Sequence, residues 1–430
     1  MKKIFLVLGL AACTGACKNN EKQLISASFI DSLTTHYTPP VIAVQNDKER
    51  VFWKDRINPA SPGFLNESRY AGCLALQFRL FGDIDSLKKA DSILRKVDCD
   101  YNHKEAAPNL ALSALSITRH RFPEADSLLG KARQLGLRPH ESILAAFDVD
   151  FELGRYTQAR AELNAIRPAA DFDYYFRRSK MDHWAGELDS SINAMMKAAA
   201  LTGSSDYLRG VALANAGDLY VHAGRLHDAR DAYVECIRLN SADFHSIMGL
   251  GHIALVHDHN PALAENIFRW VQTRTHIPDV LFRLAQTAAE RHDTALQIHY
   301  ARAFARQAND TAYGMMYDKY LIQLYTGILH DPALAESIAR KELNNRATPL
   351  TYAWYAWTLL ANHKKDQAWL VYQQYVSGKP LEALELYWMG RLMEELGKNY
   401  NAGEFYKAAN ETRYDLDPAD AAYIQTYSNR

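Results

Sequence analysis

The sequence predicts an all-α protein, a solenoid of about ten helical hairpins stacked side by side. Three observations carry that expectation. A small residue, a large apolar or aromatic one four positions on, and another small one three further recur with a period of about 34 residues. A seven-residue stretch returns almost unchanged two periods later, 261–267 (P-A-L-A-E-N-I) being matched by 332–338 (P-A-L-A-E-S-I). The chain also lacks the alternation of half-buried strands and any glycine-rich phosphate loop.

The clearest copy carries Leu213, Ala216, Gly217, Tyr220, Gly224, Ala229, Tyr233 and Cys236. Gly390, Gly397, Ala402, Tyr406 and Ala409 repeat it, and Ala356, Ala368, Tyr372, Tyr375 and Pro380 do so one period earlier. This pattern resembles the tetratricopeptide repeat, and the resemblance covers roughly residues 66–413. It implies a right-handed superhelical solenoid whose first helices line a concave face. Packing explains the residue types, because antiparallel helices approach to ~8–10 Å only where small side chains face each other. Gly217 and Ala229 are expected to meet inside one hairpin, Cys236 to face the next, and Tyr220 and Tyr233 to fill the remaining gaps.

Taken in order, residues 1–17 read as an export signal. Lys2 and Lys3 precede an apolar run too short to span a bilayer. The following Leu10-Ala11-Ala12-Cys13 and Ala16-Cys17 resemble a bacterial, Bacteroidetes-like lipoprotein processing site. Cys17, with a signal of ordinary length before it and a polar stretch after it, is the favoured lipidation site, and Cys13 the other. Residues 18–65 lack periodicity and contain Pro39-Pro40, which reads as a tether and an irregular segment with a first helix near residues 51–56.

Residues 66–413 form the solenoid. The small residue opening each second helix is assigned to Ala90, Ala125, Ala159, Ser191, Ala229, Ala264, Ala295 or Leu296, Ala335, Ala368 and Ala402, most steps lying close to one period. The first hairpin and the one near Ala295 fit this register least well. Pro261 and Pro332 sit where second helices begin, which suits a residue of fixed φ without a donor. Asp417-Pro418 opens a last helical stretch, so residues 414–430 are expected to cap the stack.

Composition narrows function. The chain has 430 residues, 48% hydrophobic and 23% charged, with a formal net charge of −1. Loss of Lys2 and Lys3 with the signal would leave 47 basic against 50 acidic residues. Neither balance offers the basic excess or stripe that nucleic acid or anionic membrane would require. Several acyl chains would anchor the protein stably, as a single one does not. The expected location is therefore the cell envelope, lipid-anchored in the outer membrane and facing the periplasm or the cell surface.

No constellation points to catalysis, a cofactor or a metal, so the expectation is a protein that is not an enzyme. The chain has no H-E-x-x-H, G-x-S-x-G or C-x-x-C. His120, His259, His330 and His363 each lie five residues before a second-helix small residue, a slot that Gly154, Gly186, Gly224 and Gly397 fill elsewhere. A ladder of imidazoles and a His257-Asp258-His259 chelate are the chemical readings. The structural reading is that histidine tolerates the left-handed backbone of a tight turn. Cys73 and Cys99 would lie out of register for a disulfide, and Cys236 reads as a small core side chain. Asp31, Asp85, Asp91, Asp126, Asp293 and Asp310 each begin an Asp-Ser/Thr-aliphatic tripeptide, which is similar to the O-glycosylation acceptor of exported Bacteroidetes proteins and equally suits helix capping.

Function is therefore expected on the concave face. Its partner-binding candidates are Phe176, Lys180, Asp218, Met248, His252, Phe282, Gln286, Trp357, Tyr387 and Arg391, aromatics and Met alternating with polar groups, alongside Leu144 and Asp148. Such a surface suits a peptide or protein partner held by aromatic and Arg anchors. The resemblance also implies a mode in which Lys and Asn grip a C-terminal carboxylate. Here only Lys180 matches it, beside Asp148 and Asp218. The expected function is a non-catalytic interaction scaffold of the cell envelope, and the alternative is a glycan- or sugar-binding lipoprotein of an uptake system.

Overall fold

The computed structural model describes residues 23–61, 63–166 and 171–428. Two helices, α1 (Ala27–Thr35) and α2 (Val41–Lys54), come first. Hairpins 1–5 follow as α3 (Phe64–Phe81) with α4 (Ile84–Asp100), α5 (Ala106–Thr118) with α6 (Phe122–Gln134), α7 (Pro139–Glu152) with α8 (Tyr156–Ala165), α9 (Phe172–Trp184) with α10 (Leu188–Ala200), and α11 (Asp206–His222) with α12 (Leu226–Leu239). Hairpins 6–10 are α13 (Phe244–Val256) with α14 (Pro261–Gln272), α15 (Asp279–Glu290) with α16 (Thr294–Ala308), α17 (Asp318–Thr326) with α18 (Pro332–Asn345), α19 (Pro349–Ala361) with α20 (Lys365–Val371), and α21 (Ala383–Glu395) with α22 (Asn399–Glu411). The helix α23 (Pro418–Ser428) closes the stack, and no strand occurs among the described residues.

Small residues set the packing as the sequence demands, with one change of partner. Ala125, Ala159, Ser191, Ala229, Ala264, Ala335, Ala368 and Ala402 are all fully buried. A Cβ on Gly217 would lie 2.3 Å from the Tyr233 ring, and one on Gly249 would lie 2.6 Å from the same ring. Tyr233 thus bridges the first helices of hairpins 5 and 6, and Gly217 faces this ring instead of Ala229. Gly390 and Tyr406 repeat the arrangement at 2.4 Å. The Cys236 thiol donates to the carbonyl of Gly210 in its own hairpin. Cys73, Cys99 and Cys236 are free thiols.

Hairpin 7 corrects the register. Ala295 is exposed and Leu296 only half-buried. The slot four residues after the N-cap Asp293 is Gln297, and the buried side chains include Tyr300, Ala301 and Phe304. With Gln297 in place, the steps to Ala264 before it and Ala335 after it both come close to one period, as elsewhere in the stack. The missing small residue has moved one turn along, to Ala301. Hairpin 1 departs differently, because its turn at Gly82 lies eight residues before the buried Ala90 and α4 starts nearly a turn early.

Each hairpin turn carries one residue with positive φ. It is Gly82, Gly154, Gly186, Gly224 and Gly397 in five hairpins, and His120, His259, His292, His330 and His363 in the other five. The histidines are therefore turn residues at φ between 48° and 61°. His292 belongs to this set and was hidden by the misplaced register of hairpin 7.

Residues 23–61 pack on the stack through two helices, where the sequence reading expected a tether and an irregular segment. The Leu24 and Ile25 amides both donate to the Asp258 carboxylate at 2.9 Å, and Asp258 is fully buried. Tyr37 packs on Phe244 and Trp270, while Asn46 of α2 donates to the Cys73 carbonyl of α3. The two helices contact different hairpins, so no single periodicity marks them. Asp258, spent on these two amides and on His257, is a clamp and not a chelate. Cys13 and Cys17 lie outside the described residues.

Candidate functional site

The stack winds until it meets itself. Turns of the early hairpins dock on connections that follow hairpins five places later, so the second turn of the superhelix sits against the first along a seam. At hairpin 1, the Phe81 carbonyl accepts from the His276 amide at 2.9 Å, and a Cβ on Gly82 would strike Ile277 at 2.1 Å. At hairpin 2, buried Arg119 donates to the Ala312 carbonyl at 2.6 Å, while Asn345 accepts from the Phe122 amide at 3.1 Å and donates to the His120 carbonyl at 2.9 Å. At hairpin 3, Glu152 pairs with Arg346 at 3.5 Å and Gly154 abuts Thr348. At hairpin 5, His222 pairs with Asp415 and Gly224 meets the Tyr414 ring.

Hairpin 4 is where the seam gapes. Nothing lies within 4 Å of a Cβ built on Gly186. A cavity of about 890 Å3 opens here, bounded by the turns of hairpins 3–5 on one side and residues 346–350, 380–382 and 411–412 on the other. Tyr156 and Trp184 stack in its wall with centroids 4.0 Å apart. Phe151, Tyr320 and Trp354 add further aromatic lining.

The cavity's basic groups are internally matched. Glu152 receives Lys180 at 3.1 Å as well as Arg346; burial pushes its pKa up, but the two cations outweigh this and hold it below the usual value. Lys319 lies 3.0 Å from Glu382 and 2.9 Å from Glu385. The Lys319 charge, outweighing burial, lowers Glu382 to about 2. His120 is held neutral, at about 4, by burial and by Arg346. The His183 and His222 rings lie 4.8 Å apart. Burial and the neighbouring His222 lower His183. Burial also opposes protonation of His222, but its hydrogen bond to Asp415 and the charge of that carboxylate outweigh burial and raise it. Glu187, Asp189 and Glu411 add carboxylates to the lining, giving it an acidic excess.

A second cavity, of about 360 Å3, lies along the superhelix axis and shares His183, His222, Lys319, Tyr320 and Glu382 with the first. Five residues expected on the concave face meet here: Asp218, Met248, His252, Phe282 and Gln286. Met248, His252, Phe282 and Gln286 are buried instead of exposed: Phe282 packs on Phe304 and Tyr320, and the chain's own C-terminal segment enters the channel over His252 and Gln286. His252 donates through Nε2 to the Tyr414 carbonyl at 2.7 Å and accepts at Nδ1 from Arg283 at 3.0 Å. Burial, then Arg283, lowers its pKa to about 3. Gln286 and Gln323 both donate to the Asp417 carboxylate. Asp218 accepts from the Tyr233 hydroxyl at 2.7 Å and from His245 at 2.8 Å.

The other expected residues lie apart from this group. Lys180 sits with Glu152 near the seam, its ammonium 4.9 Å from the Phe151 ring centroid. Phe176 stacks on Phe172, and Arg177 holds Asp148 at 2.6 Å. Trp357 donates to Thr326 and stacks on Trp388, so it belongs to the wall. Tyr387 is buried among Tyr406 and Tyr423, and Arg391 lies over the Tyr423 ring beneath α23. Tyr156, Trp184, Lys319, Arg346 and Glu382 were missed, because they come together only where the superhelix closes on itself, and no period relates the two sides of that seam.

Among the described residues, no group of three or more His, Cys, Asp or Glu is placed to hold a metal ion, and no helix is long and apolar enough to cross a membrane. Asp293 caps α16 and Asp310 caps the three-residue helical turn Thr311–Tyr313 through their carboxylates.

The fold defines a tetratricopeptide-like helical-repeat protein. No family model matches the sequence, and no curated protein matches it. Among solved structures, the chain is similar to PilF of Pseudomonas aeruginosa, at 12% identity and a TM-score of 0.36 over 50% of this chain and 97% of that one. It is also similar to a tetratricopeptide repeat protein from Parabacteroides merdae, at 11% identity and a TM-score of 0.34 over 68% and 99%. Similarity to the Cut9–Hcn1 assembly reaches 13% identity and a TM-score of 0.47 over 93% and 69%. The repeat architecture itself stands on the chain's own helices, glycines and turns.

Proposed function

We propose that this chain is a non-catalytic interaction scaffold of the bacterial cell envelope, anchored by lipid on Cys17 or Cys13, that holds a short segment of a protein partner in the seam cavity. The cavity carries the reading. Its 890 Å3 accommodates a few side chains and their backbone. The stacked Tyr156 and Trp184 supply the rigid aromatic anchors on which interfaces concentrate their affinity. Lys180, Arg346 and Lys319 are matched within the protein, so Glu187, Asp189 and Glu411 favour a partner segment bearing Lys or Arg. A cation over the Tyr156–Trp184 pair would gain ~1–2 kcal/mol where it is desolvated.

The stacked pair equally supports the second reading, a sugar ring lying on Trp184. A photo-crosslinking residue at Tyr156 in the lipidated protein, expressed in its host, distinguishes them. The scaffold reading expects a discrete protein adduct whose linked peptide is basic, and loss of that adduct in Trp184→Ala. Absence of any protein adduct, together with quenching of tryptophan fluorescence by envelope oligosaccharides, would replace it with the glycan reading.

A further inference from the structure

Six of the thirteen exposed large apolar side chains among the described residues lie between residues 29 and 65: Phe29, Val41, Val44, Val51, Phe52 and Leu65. Four are on α2. Val41 is 82% exposed, Val44 44%, Val51 54% and Phe52 45%. At about 100° per residue these four fall within an arc of about 100°. The opposite face carries Ala43 and Asn46, buried against α3. The outward stripe carries both signs of charge: Arg56 lies 3.4 Å from the Phe52 ring centroid, Lys48 shares the arc with Asp55, and Asp47, Glu49 and Lys54 flank it. No other segment among the described residues leaves a helix face of this kind uncovered.

The covalent chain indicates what covers it. Near the start of the described residues, Leu24 and Ile25 are held on Asp258. Seven residue steps separate Leu24 from Cys17 and eleven from Cys13, so the folded protein lies within about 25 Å of a lipid on Cys17, or about 40 Å of one on Cys13. The first helices among the described residues are α1 and α2, and α1 is only nine residues long. An anchor on either cysteine therefore holds Leu24, and with it the folded body that carries α2, at the bilayer at an effective concentration far above that of free protein.

We propose that the outward face of α2 rests on the bilayer as an interfacial helix, with Val41, Val44, Val51 and Phe52 among the acyl chains and Lys48, Lys54 and Arg56 at headgroup level. This depends on the lipid anchor inferred above. Helices of this kind sink ~5–10 Å, and their lysines and arginines reach back to water. The acyl chains hold the protein to the membrane, while α2 fixes which way up it stands.

Spin labels report this directly. The lipidated protein, with Cys99→Ser to remove its one exposed described thiol, is labelled at Val44→Cys, Val51→Cys or, as a surface control, Lys407→Cys, and placed in phosphatidylethanolamine–phosphatidylglycerol liposomes. Labels at 44 and 51 should collide with oxygen several-fold more than with a water-soluble nickel chelate, relative to the label at 407. All three positions are exposed, so the fold should survive. Acylated, liposome-bound protein whose 44 and 51 labels behave like the 407 label overturns the proposal alone. Strong dipolar broadening between labels at 44 overturns it in favour of a second copy on the stripe. Failure of the chain to take up labelled palmitate in cells overturns the anchor and, with it, the proposal.

Discussion

The ten hairpin turns divide into two sets. Those of hairpins 1–5 face the second turn of the superhelix, and four of them use glycine, with His120 the exception. Those of hairpins 6–10 face outward, and four of them use histidine, with Gly397 the exception. Both residues satisfy the same positive φ. At two of the seam glycines the difference is room: a Cβ on Gly82 or Gly154 would strike the opposite connection, whereas Gly186 and Gly224 have space for one and His259, His292, His330 and His363 extend into solvent. Backbone conformation decides that the turn residue must be unusual, and at Gly82 and Gly154 the closeness of the seam excludes any side chain.

The sharpest way to break this comparison is Gly82→Ala. Left-handed strain of ~1–2 kcal/mol adds to overpacking of ~1–3 kcal/mol against Ile277. Denaturant unfolding should show a loss of about 2–5 kcal/mol, and a loss under about 1 kcal/mol would mean the seam is not tightly closed there. Next comes Asn345→Leu, which strips partners from the buried Phe122 amide and the His120 carbonyl and should cost roughly 2–3 kcal/mol.

Asp258→Ala removes the clamp from an outward turn. It leaves two amides unmet, at roughly 1–3 kcal/mol, and hydrogen exchange should speed up across α1 while hairpins 1–5 keep their protection. Equal loss of protection everywhere would show that the strap and the seam form one unit.

The exception in the covered set has its own signature. His120 is neutral in the fold, with a pKa lowered to about 4. The unfolded chain therefore takes up its proton first, so the fold is at full strength above about pH 6.5 and weakens as pH falls toward 4. His120→Gly keeps the backbone and should flatten part of that acid slope in melting temperatures taken from neutral pH down to about 4.5, leaving the share that His252 contributes. The smallest effect belongs to an open turn: His330→Gly should change stability by less than about 1 kcal/mol, because relief of the strain is offset by a looser unfolded chain.

Much of this was legible in the sequence, for a reason that also marks the limit. Ala229, Ala264 and Ala335 announce helix pairs because neighbours a whole number of periods apart face the same packing problem, and the histidine turn slot follows from the same count. Where the small residue is displaced, as at Ala301, the count slips and His292 goes unseen. The seam joins residues such as Phe122 and Asn345 that no period relates. Concave-face positions such as His252 and Gln286 line one channel, yet they are buried, because its occupancy by Tyr414 and Asp417 depends on closure. Residues 24–54 carry no repeat and fold only against partners that the repeats create.

Ordinary repeat arrays behave almost one-dimensionally: each unit touches its neighbours, stability accumulates along the row, and units can be added or lost. The join between Phe81 and His276, echoed by Arg119 with Ala312 and by Glu152 with Arg346, removes that freedom. Excising one repeat between residues 124 and 264 would slide every subsequent pairing out of phase together. Such an array has a fixed length, loses its structure in a single step instead of fraying from an end, and cannot finish folding until its final stretch leaves the ribosome.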